Sequence, residues 1–387
     1  IVAGTSIGAG MLGLPVVSGA CGFIPALFIL LACWAFMCAT GILYAELACV
    51  YKDEANISTM AVRTLGPIGK PLTLVVYLFL FYTLTVVYFV GGGNILATWI
   101  PQCSDAKVRI ILFALIFIPV VAIGKRVVDP LNKFLMGGLL VAYCGFVVIG
   151  TSSIVPQQLF VKQWLAAPFV LPVAFTSFAY QGTIPTLANW MCYDVKNIRK
   201  AIIIGTACTL LIYTIWVMLI LGIIPYSGEW GLQYALVNGQ DSIQPLEHFT
   251  GNRMVFLVGR LFAFCAITTS FLGVGIGLVD FIRDLIGKGS RFAPNQAILL
   301  VLSFALPLFV ALSYPHIFLE ALGYAGGFGS ALLLGALPIA MVYIAKYRHQ
   351  AAIATNFYTK KSVLFFLFVF VILEIGCECI HLLKGHL

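Results

Sequence analysis

Serine and glycine at close spacing open the chain: the stretch Gly4 to Pro15 reads GTSIGAGMLGLP. Three chemistries fit it. Gly4-Thr5-Ser6-Ile7-Gly8 has the G-x-S-x-G pattern that exposes a nucleophilic serine on a sharp turn. Gly8-Ala9-Gly10-Met11-Leu12-Gly13 has the G-x-G-x-x-G pattern of a turn that lays a pyrophosphate on a helix N-terminus. The third possibility is a membrane helix unwound at its middle, whose freed amides and carbonyls meet a ligand directly. A serine nucleophile needs a preceding strand, a histidine and an acid. A dinucleotide turn needs a βαβ unit and an acidic residue about 20 positions on. An unwound helix needs hydrocarbon around it.

Composition chooses among these surroundings. Apolar residues make up 61% of the 387 and charged residues 9%, with a mean hydropathy of +1.05. Soluble chains carry about 25% charge, and each bilayer crossing takes roughly 20 mostly apolar residues, so the chain is read as an all-α polytopic membrane protein. Apolar stretches bounded by charge or by Pro/Gly clusters predict eleven spans, at 1–19, 22–51, 71–100, 108–124, 130–153, 167–191, 198–223, 253–282, 295–313, 315–345 and 362–383. The chain begins at Ile1 with neither methionine nor polar leader, so a short N-terminal tail is expected to be missing, and no cleaved signal peptide is expected. The 11 cysteines are scattered through apolar runs and read as packing residues, and neither a metal nor a cofactor is expected.

Lysine and arginine orient the spans, because positively charged loops stay on the cytoplasmic side. With the N-terminus inside, 16 of the 22 basic residues fall on inner loops and 6 on the outer side, which predicts N-inside and C-outside. The net charge of +8 is explained by orientation, and no nucleic-acid partner is called for. Two extramembrane stretches are long enough for structure: an external cap within 224–252 and a short amphipathic inner helix around Ile57 to Leu65.

The sixth span repeats the first. FTSFAYQGTIPTL, Phe175 to Leu187, carries Thr176-Ser177 and Pro185 as the opening carries Thr5-Ser6 and Pro15. Five spans separate one copy from the next, and five is odd, so two such repeats enter the membrane from opposite sides. Inverted repeats whose first helix is interrupted form a transporter architecture. The expected single transport domain has repeat one at about 1–153, repeat two at about 167–345, and an appended helix at about 362–383. The five histidines, at 248, 316, 349, 381 and 386, all lie in loops or near span ends, so none is placed to activate Ser6, and the segment around Cys33 and Trp34 is hydrophobic helix with no acid for a ribose. An intramembrane serine hydrolase stays as the enzyme alternative and a pore as the non-carrier one. Close packing through Gly4-x-x-x-Gly8 is the structural alternative for the glycines. Glycine lowers helix stability by about 1 kcal/mol, and with Gly4, Gly8, Gly10 and Gly13 in ten residues the unwound helix is the better reading.

IVAGTSIGAGMLGLP, then FTSFAYQGTIPTLANWMCYDVKNIRKAIIIGTA, then AITTSFLG from Ala266 to Gly273, together resemble the aromatic amino acid permeases of bacteria, the tyrosine- and tryptophan-specific group of the hydroxy/aromatic amino acid permease family. The resemblance covers nearly the whole chain. It implies eleven spans, the LeuT-type fold of the amino-acid/polyamine superfamily, location in the bacterial inner membrane, and import of an aromatic amino acid by proton symport. Carried over by position, the amides of Ser6, Ile7, Gly8, Ala9 and Gly10 would hold the substrate carboxylate. Carbonyls of Phe175, Thr176 and Ser177 would hold its ammonium. Phe178, Tyr180 and Gln181, with Tyr82 or Tyr88, would line the side-chain pocket. Members of the group commonly show histidine where Gln181 stands; glutamine carries no proton but can bond a phenol hydroxyl or an indole N–H. Tyrosine is placed first as substrate and tryptophan second.

Ionisable groups within apolar spans are functional candidates by default. Here they are Glu46, Arg260, Asp280, Glu320, Glu374 and Glu378. Glu46, near the inner end of span two, is open to a structural role or a proton relay. Arg260 and Glu320 lie in the outer thirds of spans eight and ten and are candidates to pair as an outer gate. Thr268, Thr269 and Ser270 in mid-span eight are candidates to hold a sodium ion, which keeps sodium symport as the alternative coupling; the hydroxyls would otherwise return hydrogen bonds to their own helix.

Overall fold

The computed structural model describes residues 2–52, 56–100, 102–250, 253–287, 295–353 and 356–384. Of the basic residues and histidines counted from the sequence, Lys288, Arg291 and His386 lie outside the described residues. Hydrocarbon forces every backbone polar group to be satisfied within its own segment, and the chain is accordingly helical. Among the described residues ten helical stretches are long and apolar enough to cross a membrane, and the first predicted span is present as a shorter pair.

That first span is α1 (Val2–Ser6) followed by α2 (Ala9–Ser18). Spans two to five are α3 (Phe23–Tyr51), α5 (Gly69–Trp99), α6 (Ala106–Ile123) and α7 (Lys125–Gly150), with α4 (Ile57–Leu65) lying between α3 and α5. Span six divides into α8 (Leu171–Ser177) and α9 (Ile184–Trp190), and span seven is α10 (Val195–Ile223). After α11 (Leu232–Val237) and α12 (Ile243–Phe249) come span eight, α13 (Arg253–Gly287), and span nine, α14 (Gln296–Ser313). Span ten is α15 (Phe318–Tyr324), a π-helical segment (Ala325–Ala336) and α16 (Leu337–Tyr347); span eleven is α17 (Lys361–Lys384). Asn56, Asp105, Asp194 and Asn295 each accept a backbone N–H at the start of the helix that follows, the usual stop to fraying where helices leave the membrane.

Packing follows the five-span offset. Spans one and six touch through α2 and α8, spans two and seven through α3 and α10, spans three and eight through α5 and α13, and spans four and nine through α6 and α14. Span five lies on span eight as span ten lies on span three. Exchanging each span for its partner five places away turns one of these pairs into the other.

Both extramembrane expectations appear as helices. On α4 the buried residues Ile57, Met60, Ala61 and Thr64 follow helical spacing and face the bundle, packing on α5 and α16. On the opposite face α11 and α12 bury Leu232, Ala235, Ile243 and Leu246 over α2 and α13. Ser242 N donates to Leu12 O at 3.2 Å, which ties this cap to span one. In span three Gly92 faces Phe113, and in span ten Gly326 backs onto Pro172 O and Thr176 Oγ1; a methyl group at either would collide.

Candidate functional site

The two helix breaks meet at the centre. α1 stops at Ser6, Gly8 is fully extended (φ −161°, ψ −152°), and α2 starts at Ala9 with no side chain capping it. The first amides of a helix have no intrahelical acceptor, so Ala9 and Gly10 present N–H groups at the positive end of α2. Opposite them α8 stops at Ser177, and Phe178 to Tyr180 leave the helix before α9 resumes. Tyr213, on α10, joins the breaks: its hydroxyl lies 2.6 Å from Ser6 O and 2.7 Å from Ser177 O, and its one proton serves one of them at a time. The breaks approach so closely that a Cβ on Gly10 would lie 2.8 Å from Ser177 Cα and would strike the Ser177 hydroxyl. A Cβ on Gly8 would strike the Ser270 hydroxyl of α13.

A cavity of about 770 Å³ begins at the breaks. Of the expected site residues, Ser6, Gly8, Ala9, Gly10, Thr176, Tyr180, Gln181, Tyr88, Thr269 and Ser270 line it. It runs toward the face that carries α4, past Tyr77, Ile57, Met136 and Gly277, and reaches solvent at exposed Thr5, Lys133 and Gly182. Toward the cap it is shut where Gly13 packs against Leu319, Leu322 and Val173. The protein is therefore open on the α4 face and closed on the cap face.

Other expected residues lie elsewhere. Tyr82 points away from the cavity and donates to Leu302 O of α14 at 2.8 Å. Ile7 is buried off the cavity; Phe175 packs between Phe36 and Phe370, and Phe178 sets its edge on Tyr213. Ser177 turns its hydroxyl back to Val173 O at 2.7 Å. Gln181 reaches the cavity, but its amide is engaged by span two: Nε2 donates to Met37 O and Thr40 Oγ1, both at 3.3 Å, and Oε1 accepts Tyr180 N. With the Tyr180 hydroxyl on Met37 O at 3.1 Å, it pins the unwound stretch of span six to α3.

The charged candidates are also sorted by contact. Buried Glu46 is ion-paired with Arg199 of α10 and accepts from Asn356 Nδ2 at 3.2 Å, holding spans two and seven together well away from the cavity. The expected pairing of Arg260 with Glu320 is not formed. Arg260 lies over the rings of Trp99 (4.7 Å) and Phe256 (5.2 Å), a cation–π placement, while Glu320 is exposed beyond span nine. The two side chains leave their helices in different directions, which no spacing within either helix reveals. Asp280 is at the α4 face, paired with Lys125 at 2.8 Å and Arg283 at 2.6 Å. Of the hydroxyl cluster, Thr269 bonds Cys265 O of its own helix at 2.8 Å, and the Thr268 hydroxyl is buried away from the cavity without a partner among the described residues.

Sequence reasoning named Tyr88 but missed the rest of the cavity face of span three, Tyr77, Leu80, Phe81 and Leu84. Their spacing of three and four is one stripe of a helix, a signal that would have separated Tyr88 from Tyr82. Tyr213 carried no local signal, being one aromatic residue in an apolar span.

Among the described residues no histidine lines the cavity, and the Ser6 hydroxyl bonds Val2 O of its own helix at 3.2 Å. The nucleophile reading ends there, and the absence of any strand among the described residues ends the dinucleotide one. Two broken helices around a central cavity, open to one face and packed in a five-span repeat, define a secondary transporter of the LeuT type. The sequence profile of the tryptophan/tyrosine permease family matches residues 1–378, and the chain belongs to that family. Among curated relatives, the tyrosine-specific transport system 1 of Haemophilus influenzae is 34% identical over 90% of this chain and 88% of its own length. The tryptophan-specific transport protein of Shigella flexneri is 31% identical over 84% and 81%. Among solved structures, MhsT in complex with L-phenylalanine superposes with a TM-score of 0.70 over 97% of each chain at 15% identity, a likeness of fold. The chain is a multi-pass membrane transporter and not an enzyme.

Proposed function

We propose that this chain imports aromatic amino acids, tyrosine before tryptophan, across a bacterial inner membrane by alternating access with proton symport. The observation that carries the reading is one cavity holding both the free amides at the start of α2 and the aromatic faces of Tyr77, Phe81 and Tyr88. A helix N-terminus attracts a carboxylate, and aromatic faces suit an aromatic side chain. Carbonyls at the end of α8 are left to the ammonium, with Tyr213 releasing Ser177 O as substrate enters. The names of the relatives support the substrate class. On this reading the α4 face is cytoplasmic, the termini are inside and outside in turn, the repeats extend over about 1–153 and 167–345, and the present shape is inward-open.

Sodium coupling is the second reading, favoured by Ser270 beside the extended Gly8 and by Thr269 on the same wall. Proteoliposomes loaded at neutral pH decide between them. Tyrosine uptake should accelerate when the outside is acidified and stay indifferent to sodium; acceleration by sodium alone would overturn proton coupling. A panel of twenty amino acids competing with labelled tyrosine should leave only the aromatic ones as strong competitors, and saturable counterflow distinguishes a carrier from a pore.

A further inference from the structure

The transport site leaves two acids unused. Glu374 and Glu378 lie one turn apart on α17 and are 0% and 1% exposed. All four carboxylate oxygens are without a hydrogen-bond partner among the described residues. Glu378 lies against Gly323 and Gly327 of span ten, where a Cβ on Gly323 would lie 3.0 Å from Glu378 Oε1. The titratable groups facing the pair are Cys33 from α3, Tyr324 from α15 and Cys377 of α17 itself. His381 follows on the same helix with its ring on Phe169. The π-helical segment, α8 and residues 164–170 contribute no titratable side chain, and α16 meets α17 at the other end, where Lys361 lies over Tyr347. Among the described residues no lysine or arginine is paired with either acid.

Charge on these acids would be costly. An unpaired carboxylate buried in apolar surroundings is strongly disfavoured against its neutral form, and two carboxylates one helical turn apart repel each other. These surroundings accommodate the neutral acids better than the charged ones, and an acid that holds a proton here must surrender it when its surroundings open. Intramembrane acids of this kind mark proton pathways.

We propose that Glu374 and Glu378 are the proton-binding site of this transporter, loaded and unloaded in step with span ten. The proposal rests on the proton-symport reading and names its site. A carboxylate takes one proton from water on the cap face and later returns it to water on the α4 face; no other bond changes. Access from the cap side is laid out in residues, since exposed Glu320 and buried Glu378 both lie within electrostatic reach of Tyr324, one turn from Glu320. Coupling to substrate is by contact. The span that carries Gly323 and Gly327 on one side presses Gly326 on α8 from the other, and Thr176 Oγ1 donates to Leu322 O at 2.8 Å. Phe370, one turn before Glu374, stacks on Phe175 with ring centroids 5.9 Å apart. Charging the pair pushes on span ten and α17 together, and both touch the broken helix of span six. The segment between them is π-helical, a winding frequent at functional sites.

Glutamine imitates the protonated acid, which sets the test. Purified full-length protein and its Glu374→Gln and Glu378→Gln variants are reconstituted in proteoliposomes, and labelled tyrosine is followed in two modes. In counterflow, with no gradient, the variants should exchange tyrosine within about twofold of the parent rate. With the outside acidified, the parent should concentrate tyrosine and at least one variant should lose tenfold or more of that accumulation. Both variants concentrating tyrosine as the parent does would overturn the proposal while leaving symport standing. A parent that ignores the pH gradient would instead remove symport and this site together. Should the variants lose counterflow as well, infrared difference spectra of the parent at two pH values with and without tyrosine decide: a protonated-carboxyl band that responds to tyrosine and is absent from the variants supports the site, and no such band overturns it.

Discussion

Gly8 and Gly10 stand two residues apart in one break, yet a side chain at each meets a different obstacle. At Gly10 a methyl group runs into the backbone of Ser177, which cannot move without displacing α8; at Gly8 it meets the Ser270 hydroxyl, which can rotate away. Gly10→Ala is therefore expected to reduce tyrosine uptake at least tenfold and Gly8→Ala less than that. Both should insert and elute as monodisperse protein by size exclusion; equal losses would contradict the geometry. Tyr213→Phe removes the proton shared by Ser6 O and Ser177 O. A neutral hydrogen bond contributes about 1 kcal/mol, so with the competition for Ser177 O removed a several-fold tighter apparent tyrosine affinity is expected in a binding assay.

Ion pairs and caps act on whole elements. Glu46 is 2% exposed and Arg199 25%, so each removal leaves a different orphan. Arg199→Gln strands a buried carboxylate, for which a loss of roughly 3 kcal/mol or more is expected; Glu46→Gln leaves a guanidinium that can turn to water, and should cost less. Thermal unfolding in detergent ranks the two. In the cap, burial pushes the Asp241 carboxyl up to about 6, partly opposed by the Ile243 N–H that it accepts at 2.8 Å. Since the folded value lies above the unfolded one, the favourable contribution is complete below the ordinary carboxylate range and lost as pH rises through about 6. Stability is expected to rise by about 1 kcal/mol on acidifying from roughly pH 7 to pH 5. Asp241→Asn, which retains the acceptor, should lose that dependence; an unchanged profile would remove Asp241 as its source.

At the scale of the whole molecule, the cap, Leu12 and the Gly13 contacts close one face while the cavity reaches solvent on the other. A cysteine at Thr5 in a cysteine-free background should react with an impermeant thiol reagent from the α4 face, and one at Gly13 should not. Tyrosine with an acid outside should slow the Thr5 reaction as the cycle leaves this state; protection of Gly13 and Thr5 alike at all times would argue against an opening on that face. Such a change of shape is available because span ten touches both the broken span six and the appended α17.

The chain by itself determined its solvent, the run of apolar spans, the amphipathic α4 and the two breaks, because these depend on local composition. Hydrocarbon permits only satisfied backbone, and glycine with proline marks where that condition is relaxed. Tertiary structure decided which polar groups meet. Tyr213 reaches Ser6 across 207 positions, Arg199 reaches Glu46 across 153, and Arg260 turns to Trp99 instead of Glu320. Those partnerships depend on the direction in which each side chain leaves its helix and on which helix stands there, and in a chain this uniformly apolar no residue announces its neighbour.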